Sequence, residues 1–365
     1  MEIKTLLEEM VQKGASDLHM RSNAKAYIRV DGELNPISDK IYNDKEVFEI
    51  AQSLMSPAQK ELFAKYFELD LGYSVPSLGR FRINIYKQRG VTNMALRAVP
   101  AKIPTIDELR LPPIIKQIAE NRRGLILVSG VTGSGKSTTL AAMIGHINSS
   151  RSAHIVTIED PVEFVHNDNK SIISQRELGM DTLSYTEALK HVVRQDPDVI
   201  LLGEMRDLAT VSAAITAAQT GHLVISTLHT IDTAQSINRI IDMFPPHQHD
   251  QIRLMLADTL KAVISQRLLP NASGKGRIPA VEVLVVNGLV KKLIEDKNLN
   301  EITNQVRQGQ YYGMQTFNQA LIKLFKNNEI KLEDALSAAS NPEELMLNIR
   351  GVQSGSASSS DFIER

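Results

Sequence analysis

The segment GVTGSGKST (residues 130–138) constrains the fold of this 365-residue chain more than any other stretch. It fits the pattern G-x-x-x-x-G-K-[ST] and lies between an apolar run, LILVSG, and a segment with helical character. In that context glycines let backbone N–H groups close around phosphate oxygens at the start of a helix, where the helix dipole adds positive potential. The segment therefore predicts a phosphate-binding loop between a buried strand and a helix.

The side chains of this loop predict the cofactors ATP and Mg²⁺. Lys136 is expected to neutralise the β- and γ-phosphates, and Ser137 is expected to ligate the metal. The residues predicted to bind the nucleotide are Gly130, Thr132, Gly133, Ser134, Gly135, Lys136, Ser137 and Thr138. A glycine-rich turn with an incidental lysine is the alternative interpretation, and the strand–loop–helix context disfavours it.

The pattern on either side of the loop predicts two domains and an α/β fold. The apolar runs HIVTIE, DVILLGE and HLVISTLH alternate with helical segments, which is typical of buried, largely parallel strands in an open sheet. Residues 1–99 instead predict a smaller α+β domain, with a hairpin turn at Asp31-Gly32 and a helix from Ser56-Pro57 through Tyr66. A proline-rich linker is expected at 100–112, the sheet domain and C-terminal helices at 113–350, and a disordered Ser/Gly-rich tail at 351–365.

Carboxylates follow two of the predicted strands. Glu204 comes after the run DVILLG, and its side chain can hold a metal-bound water or orient the attacking water, so it is a candidate metal ligand beside Ser137. Glu163 lies in IEDPVEF, just past another strand, and is our leading candidate for the base that activates water. The sequence leaves open which of the two performs that step, and either can instead be a structural loop acid.

Two histidines, His222 and His229, bracket the run LVISTL. Their odd separation places them on opposite faces of an ideal strand, which disfavours a shared metal site. One or both can contact the γ-phosphate from the strand ends, and a structural role beside a core strand is the equally weighted alternative.

Composition limits the kinds of partner. The 41 Lys and Arg nearly balance the 42 Asp and Glu, so the charge gives no footprint for duplex DNA, and no nucleic acid is expected. The chain has no cysteine, which excludes disulfides, thiol catalysis and cysteine-ligated zinc. No apolar run reaches the length that spans a bilayer, so the expected location is cytoplasmic.

The segment GRFRINIYKQRG (residues 79–90) alternates polar and apolar residues, as a strand with one packed face does. Arg80 and Arg82 fall on the polar face, about 7 Å apart along the strand. Solubility alone is a sufficient reason for two surface arginines, and the residues by themselves do not decide between that role and contact with a phosphate.

Blocks along nearly the whole chain resemble the PilT-like retraction ATPases of type IV pili, a branch of the secretion ATPase superfamily. The blocks are GASDLHM, GVTGSGKSTT, IEDPVEF, QRELGMDT, RQDPDVILLGEMRD, TGHLVISTLHT, ISQRLLP and GMQTF, in that order. The resemblance implies a PAS-like N-terminal domain, a RecA-like ATPase domain and a homohexamer. It also implies roles near the γ-phosphate and magnesium for Glu163, Glu204, His222 and His229, and contact with the triphosphate for Arg80 and Arg82.

The function that the resemblance implies is ATP-driven pilus retraction at the cytoplasmic face of the inner membrane, with a pilus platform protein as partner. Where many of these ATPases carry an Ala-Ile-Arg-Asn-Leu-Ile-Arg-Glu motif, this chain has NGLVKKLIEDK (residues 287–297), which leaves open a role as an accessory retraction paralogue. The alternatives are a pilus extension or type II secretion ATPase, a nucleic-acid translocase, and a non-hydrolysing ATP-gated interaction protein.

Overall fold

The computed structural model describes residues 2–30, 32–76, 78–99 and 102–350, without the side chain of Glu2. The chain divides into two compact units. The first comprises Met1–Ile103, Glu159–Asn167 and Gln175–Asp181, and the second comprises Pro104–Ile158, Asp168–Ser174 and Thr182–Arg365. The predicted turn residue Asp31 and the predicted disordered tail, 351–365, lie outside the described residues.

The first unit is an α+β fold around a six-stranded sheet of order β3-β2-β1-β6-β5-β4. Its elements are α1 (Glu2–Gln12), β1 (Asp17–Met20), β2 (Ala24–Val30), β3 (Glu33–Tyr42), α2 (Asp44–Leu54), α3 (Pro57–Tyr66), β4 (Glu68–Val75), β5 (Gly79–Gln88) and β6 (Val91–Ala98). Each pair of neighbouring strands in this sheet is antiparallel. Apolar side chains from α1, α2 and α3 share one core with the sheet, and Leu7, Val47, Phe63 and Ile83 are among its buried members.

Local sequence signals account for several of these boundaries. The helix predicted from Ser56-Pro57 is confirmed: Ser56 caps it, Pro57 is its first residue, and it ends at Tyr66. Val30 pairs with Glu33 across β2 and β3, so two residues connect these strands. Strand β5 buries Phe81, Ile83 and Ile85 and leaves the alternate side chains on the other face.

A seven-stranded sheet of order β13-β12-β7-β11-β10-β8-β9 has most of its residues in the second unit. Strands β12, β7, β11, β10 and β8 run parallel, and β13 is antiparallel to β12. The strands of this sheet are β7 (Gly124–Ser129), β8 (His154–Glu159), β9 (Ile172–Glu177), β10 (Val199–Leu202), β11 (Leu223–Leu228), β12 (Leu260–Pro270) and β13 (Arg277–Val285). The α/β fold with a largely parallel sheet, predicted from the buried apolar runs, is confirmed.

Helices connect and follow these strands. They are α4 (Ile114–Ala119), α5 (Lys136–Ser150), α6 (Tyr185–Val192), α7 (Leu208–Gln219), α8 (Thr233–Asp242), α9 (His249–Thr259), α10 (Gly288–Glu295), α11 (Ile302–Gln308), α12 (Phe317–Lys326), α13 (Leu332–Ala338) and α14 (Pro342–Ile349). The last three pack with the ends of β12 and β13 around buried Phe317 and Leu321. Among the described helices, none has the length and apolar character needed to cross a membrane.

Candidate active site

The phosphate loop follows β7, whose six residues are all buried, and leads into α5. Gly130, Gly133 and Gly135 have φ values of 149°, 79° and 90°, which other residues rarely adopt. A Cβ on Gly130 would lie 2.5 Å from the carbonyl oxygen of Gln266, and one on Gly135 would lie 2.8 Å from its Nε2. Glycine is therefore needed at all three positions for its backbone conformation, and at Gly130 and Gly135 for space as well.

Side chains of the loop fit an anionic ligand. Lys136 is buried, and its Nζ donates hydrogen bonds to the carbonyl oxygens of Gly130 and Val131 at 2.8 and 3.1 Å. Ser137 and Thr138 lie half-buried in the first turn of α5. Ser134 is buried, and its Oγ has no hydrogen-bond partner among the described residues. The glycine cradle, the lysine and these hydroxyl groups have the chemistry that the phosphates of a nucleotide and their Mg²⁺ require.

A cavity of about 480 Å³ adjoins the loop within the second unit. Gly135, Thr138, Gln266 and Leu268 contribute to its wall, together with residues 108–111 and 276–279. Its volume is in the range of small-molecule sites, and it has space for a nucleoside whose phosphates lie in the loop. A larger cavity, of about 1050 Å³, lies beside α12 and contains none of the predicted site residues.

An acid–imidazole pair forms beside the loop. Strands β7, β11 and β10 are parallel neighbours, so the phosphate loop, His229 and Glu204 all follow strand ends at the same edge of the sheet. His229 Nε2 lies 3.2 Å from Glu204 Oε2, and the guanidinium of Arg206 pairs with Glu204 Oε1. Glu204 is 12% exposed whereas His229 is 51% exposed. This pair can hold or orient a water molecule near the phosphates of a nucleotide bound in the loop.

The structure places His222 at the opposite end of β11. Its Nδ1 contacts the carbonyl oxygen of Ala217 at 2.9 Å and the hydroxyl of Thr220 at 3.2 Å. The strand between the two histidines is fully buried and extended, which separates them by about 20 Å. Within one chain, His229 is therefore on the side of the phosphate loop and His222 is not.

A chain of hydroxyl groups supports this edge of the sheet, and the sequence patterns did not single it out. Ser129, the last residue of β7, contacts Ser265 of β12 at 2.7 Å and accepts a hydrogen bond from Ser236 of α8 at 3.1 Å. Ser236 in turn contacts Thr230, next to His229, at 2.7 Å. All three serines are fully buried. The chain ties the residue before the phosphate loop to the segment that carries His229.

Glu163 belongs to the first unit. It lies in the segment after β8, two residues beyond the cis peptide Asp160-Pro161, and is half-buried. No hydrogen bond or ion pair involves its side chain in the part of the chain that is described. The preceding residue, Val162, donates its N–H to Glu177 Oε2 at 3.1 Å. Glu163 is thus a carboxylate held on an anchored backbone with its own oxygens unengaged.

The two strand arginines share one face of β5 but differ in environment. Arg80 is 18% exposed and pairs with Glu177, which is 4% exposed. Arg82 is 42% exposed, and its Nε lies 4.0 Å from Oδ1 of Asp70, which is also open to solvent. Glu177 is a second residue that sequence reasoning did not single out, because an acid at the end of the run SIISQRE carries no signal of its partner 97 residues away.

Burial changes the pKa of two further groups. It lowers the pKa of His166, in the first unit, from 6.5 to about 4. It raises the pKa of the Glu282 carboxyl, in the second unit, above its ordinary value. Glu282 accepts hydrogen bonds from the backbone N–H groups of Thr233 and Phe317, the first residues of α8 and α12. Both groups are consequently biased toward their neutral forms.

Known proteins resemble this chain along most of its length. The family model "Type II/IV secretion system protein" matches residues 108–337. Two relatives from Pseudomonas aeruginosa are each 40% identical. One is named a type IV pilus ATPase, PilU, and aligns over 363 residues, which is 100% of this chain and 94% of the relative. The other is named a type IV pilus retraction ATPase, PilT, and aligns over 343 residues, which is 94% and 99%.

A solved structure has the same fold. The crystal structure of a pilus retraction motor, PilT, with bound ADP superposes with a TM-score of 0.87 at 43% sequence identity. The match covers 93% of this chain and 98% of that one. The similarity extends over both units, and that neighbour binds ADP, a nucleotide of the class for which the phosphate loop is built.

Proposed function

We propose that this chain, which belongs to the Type II/IV secretion system protein family, is an ATP-hydrolysing motor that powers the retraction of type IV pili. The chain is an ATPase. The observation that carries the proposal is the placement of the phosphate loop and the Glu204–His229 pair after neighbouring parallel strands. Ligands in open α/β sheets bind at this edge.

The loop is proposed to bind MgATP in a defined way. Lys136 neutralises the β- and γ-phosphates, and the glycines present backbone N–H groups to the same oxygens. Ser137 and, through a water molecule, Glu204 would hold the Mg²⁺, which when bound would withdraw charge from the phosphate oxygens. His229 then orients the Glu204 carboxylate and can contact the γ-phosphate side of the site.

We assign the activation of water to Glu163. A general base needs a carboxylate oxygen free to accept the proton of water. Glu204 already contacts Arg206 and His229, whereas no such contact of Glu163 lies within the described residues. Arginine from the first unit is proposed to stabilise charge on the transferring phosphoryl group, an effect worth roughly 10³ to 10⁵ in rate.

The proposed assembly is a homohexamer at the cytoplasmic face of the inner membrane, working on a pilus platform protein. The support is the similarity to a pilus retraction ATPase and to a pilus retraction motor that binds ADP. Hydrolysis changes no covalent bond of that partner, so the output is mechanical. His222, at the strand end away from the loop, is available to a neighbouring subunit in such a ring.

An accessory retraction motor is the second candidate. The relative named PilU is as similar, at 40% identity, as the one named PilT. The segment NGLVKKLIEDK at 287–297, which begins at the cap of α10, also departs from the motif of the retraction ATPases. Both candidates hydrolyse ATP, so the difference between them lies in the pilus machinery.

Two measurements test these proposals. Phosphate release by the purified chain should depend on Mg²⁺ and should fall at least about 100-fold in Lys136→Ala, because the phosphates lose their cation. Expression in a piliated strain that lacks its own retraction ATPase should then restore twitching if the chain is a principal motor. Restoration only when a second retraction ATPase is present identifies the accessory role, and ATPase activity with no effect on pili contradicts both.

A further inference from the structure

We propose that Arg80 and Glu177 form a pair that positions the loop carrying Glu163, and that Arg82 alone of the two strand arginines contacts the nucleotide. The resemblance to the retraction ATPases gives Arg80 and Arg82 one shared role, whereas here the two arginines have different roles. This difference rests on the proposed function for what the pair positions, but the pair itself is a property of the first unit, which contains all of these residues.

Glu177 holds three segments of the first unit together. Its carboxylate pairs with the Arg80 guanidinium on β5 and accepts the N–H of Gly72, on β4, at 3.2 Å. It also accepts the N–H of Val162 at 3.1 Å, and Val162 directly precedes Glu163. A single buried carboxylate thereby fixes the backbone next to the proposed base against the sheet of the first unit.

Arg80 is committed to this contact. Its Nη1 donates to Ser74 Oγ at 3.2 Å, and its Nε is buried without a partner among the described residues. If Arg80 turned toward a nucleotide, Glu177 would remain as a buried carboxylate without its cation, which is strongly unfavourable. The arginine is therefore a poor candidate for a group that binds and releases phosphate in each cycle.

The absence of a side chain at Gly72, on β4, leaves room for the Arg80–Glu177 pair. A Cβ at this position would collide with Arg80 Nη2 and lie 2.9 Å from Glu177 Oε2. The φ of Gly72 is outside the left-handed region, so its backbone conformation is open to any residue. What requires glycine here is the space that the guanidinium and carboxylate occupy.

Arg82 has the opposite properties. It lies on the same face of β5, about 7 Å from Arg80 along the strand. Its contact with Asp70 spans 4.0 Å, with side chains that are 42% and 52% exposed, so the pair contributes little and is easily exchanged for another anion. An arginine in this setting can reach out to a phosphate without leaving a buried charge behind.

A double-mutant cycle in the full-length chain tests the division of roles. Glu177→Gln and Arg80→Lys, each alone, should lower kcat for ATP by about 10- to 100-fold through misplacement of Glu163. The Kd for ATP should change less than about twofold, because the phosphate loop is untouched. In a Glu163→Gln background the same substitutions should lower the residual kcat less than about twofold, since the group they position is already lost.

Arg82→Ala is the matched comparison on the same strand face. Arg82→Ala should lower kcat by the same factor with and without Glu163→Gln, because Arg82 contacts the nucleotide independently of the base. Gly72→Ala changes no charge and should reproduce the kcat loss of Arg80→Lys. If Arg80→Lys lowers kcat by the same factor in both backgrounds, Arg80 acts on the nucleotide directly and the assignment is wrong.

A readout without catalysis keeps the pair testable on its own. The amide of Val162 should exchange with solvent deuterium at least about tenfold faster in Glu177→Gln than in the wild type, because its acceptor is weakened. Unchanged exchange there overturns the positioning pair even if activity falls. A wild-type chain that hydrolyses no ATP instead overturns the proposed function, and the Val162 exchange still decides the pair.

Discussion

The burial of His166 predicts that the stability of the first unit depends on pH in a specific window. The pKa of this imidazole falls from 6.5 to about 4 on folding because the ring is shielded from water. Its backbone N–H donates to Gln175 Oε1 at 2.8 Å, which holds the segment that also carries Glu163. Substituting His166 by Gln removes the titrating group and keeps a polar side chain.

The direction in which the free energy of unfolding changes with pH follows from which state binds the proton. Between pH 6.5 and about 4 the unfolded chain holds a proton on His166 and the folded chain does not, so the free energy of unfolding falls as the pH falls. Above pH 6.5 the free energy of unfolding does not change with protonation of His166, and below about pH 4 the loss from this group is complete. At 1.36 kcal/mol for each pKa unit the gap corresponds to at most about 3.4 kcal/mol, which residual solvation of the ring reduces to about 2 kcal/mol.

A fluorescent reporter in the first unit separates the unfolding of that unit from the unfolding of the second. The chain has no tryptophan, so a single Tyr73→Trp, at a side chain packed against the core of that unit, gives it a separate fluorescence signal. Urea unfolding at pH 7.5 and 4.5 should show a loss for the wild type that exceeds the loss for His166→Gln by about 2 kcal/mol. Equal losses in the two proteins would refute the reasoning, since the other titratable groups are the same in both.

Three further results are expected. Mixing Lys136→Ala with Arg82→Ala under subunit exchange should restore activity at about a quarter of the sites if the arginine serves a neighbour's nucleotide, and mixtures that stay inactive place it within one chain. Gly135→Ala should weaken ATP binding at least about tenfold, measured by titration calorimetry, because its Cβ would press on Gln266 Nε2 at 2.8 Å. Glu282→Ala should lower the free energy of unfolding by about 2 kcal/mol in urea titrations, because two helix starts lose their acceptor; an unchanged midpoint would contradict this.

Periodicity and turn chemistry predict much of the fold because they act between near neighbours in the chain. The capped helix at Pro57–Tyr66 and the alternating strand at Gly79–Gln88 follow from contacts within a few residues. The parallel sheet follows from short apolar runs that are nearly continuous and lack the polar–apolar alternation of strands with one exposed face. The antiparallel addition of β13 is different, because it depends on how β12 and β13 meet across a connection that has no such pattern.

The candidate site is less accessible to sequence reasoning, for a physical reason. The phosphate loop is contiguous, so its glycines and lysine identify it directly. Glu177 contacts Arg80 and Val162, which are 97 and 15 residues away along the chain. Ser129 contacts Ser236, which is 107 residues away. Buried polar contacts at such separations are set by packing after the elements form. The different settings of Arg80 and Arg82 likewise appear only once neighbouring strands are in place.

The first unit is composed of three stretches of chain, and this affects its folding during synthesis on the ribosome. Translation delivers Met1–Ile103 first, but Glu177 and the rest of Gln175–Asp181 come roughly 80 residues later, a delay of about 4 to 16 s at 5–20 residues per second. During that interval the nascent sheet displays an arginine whose counter-charge has yet to be synthesised. Completion of the unit must wait until the phosphate-loop strand has already left the exit tunnel.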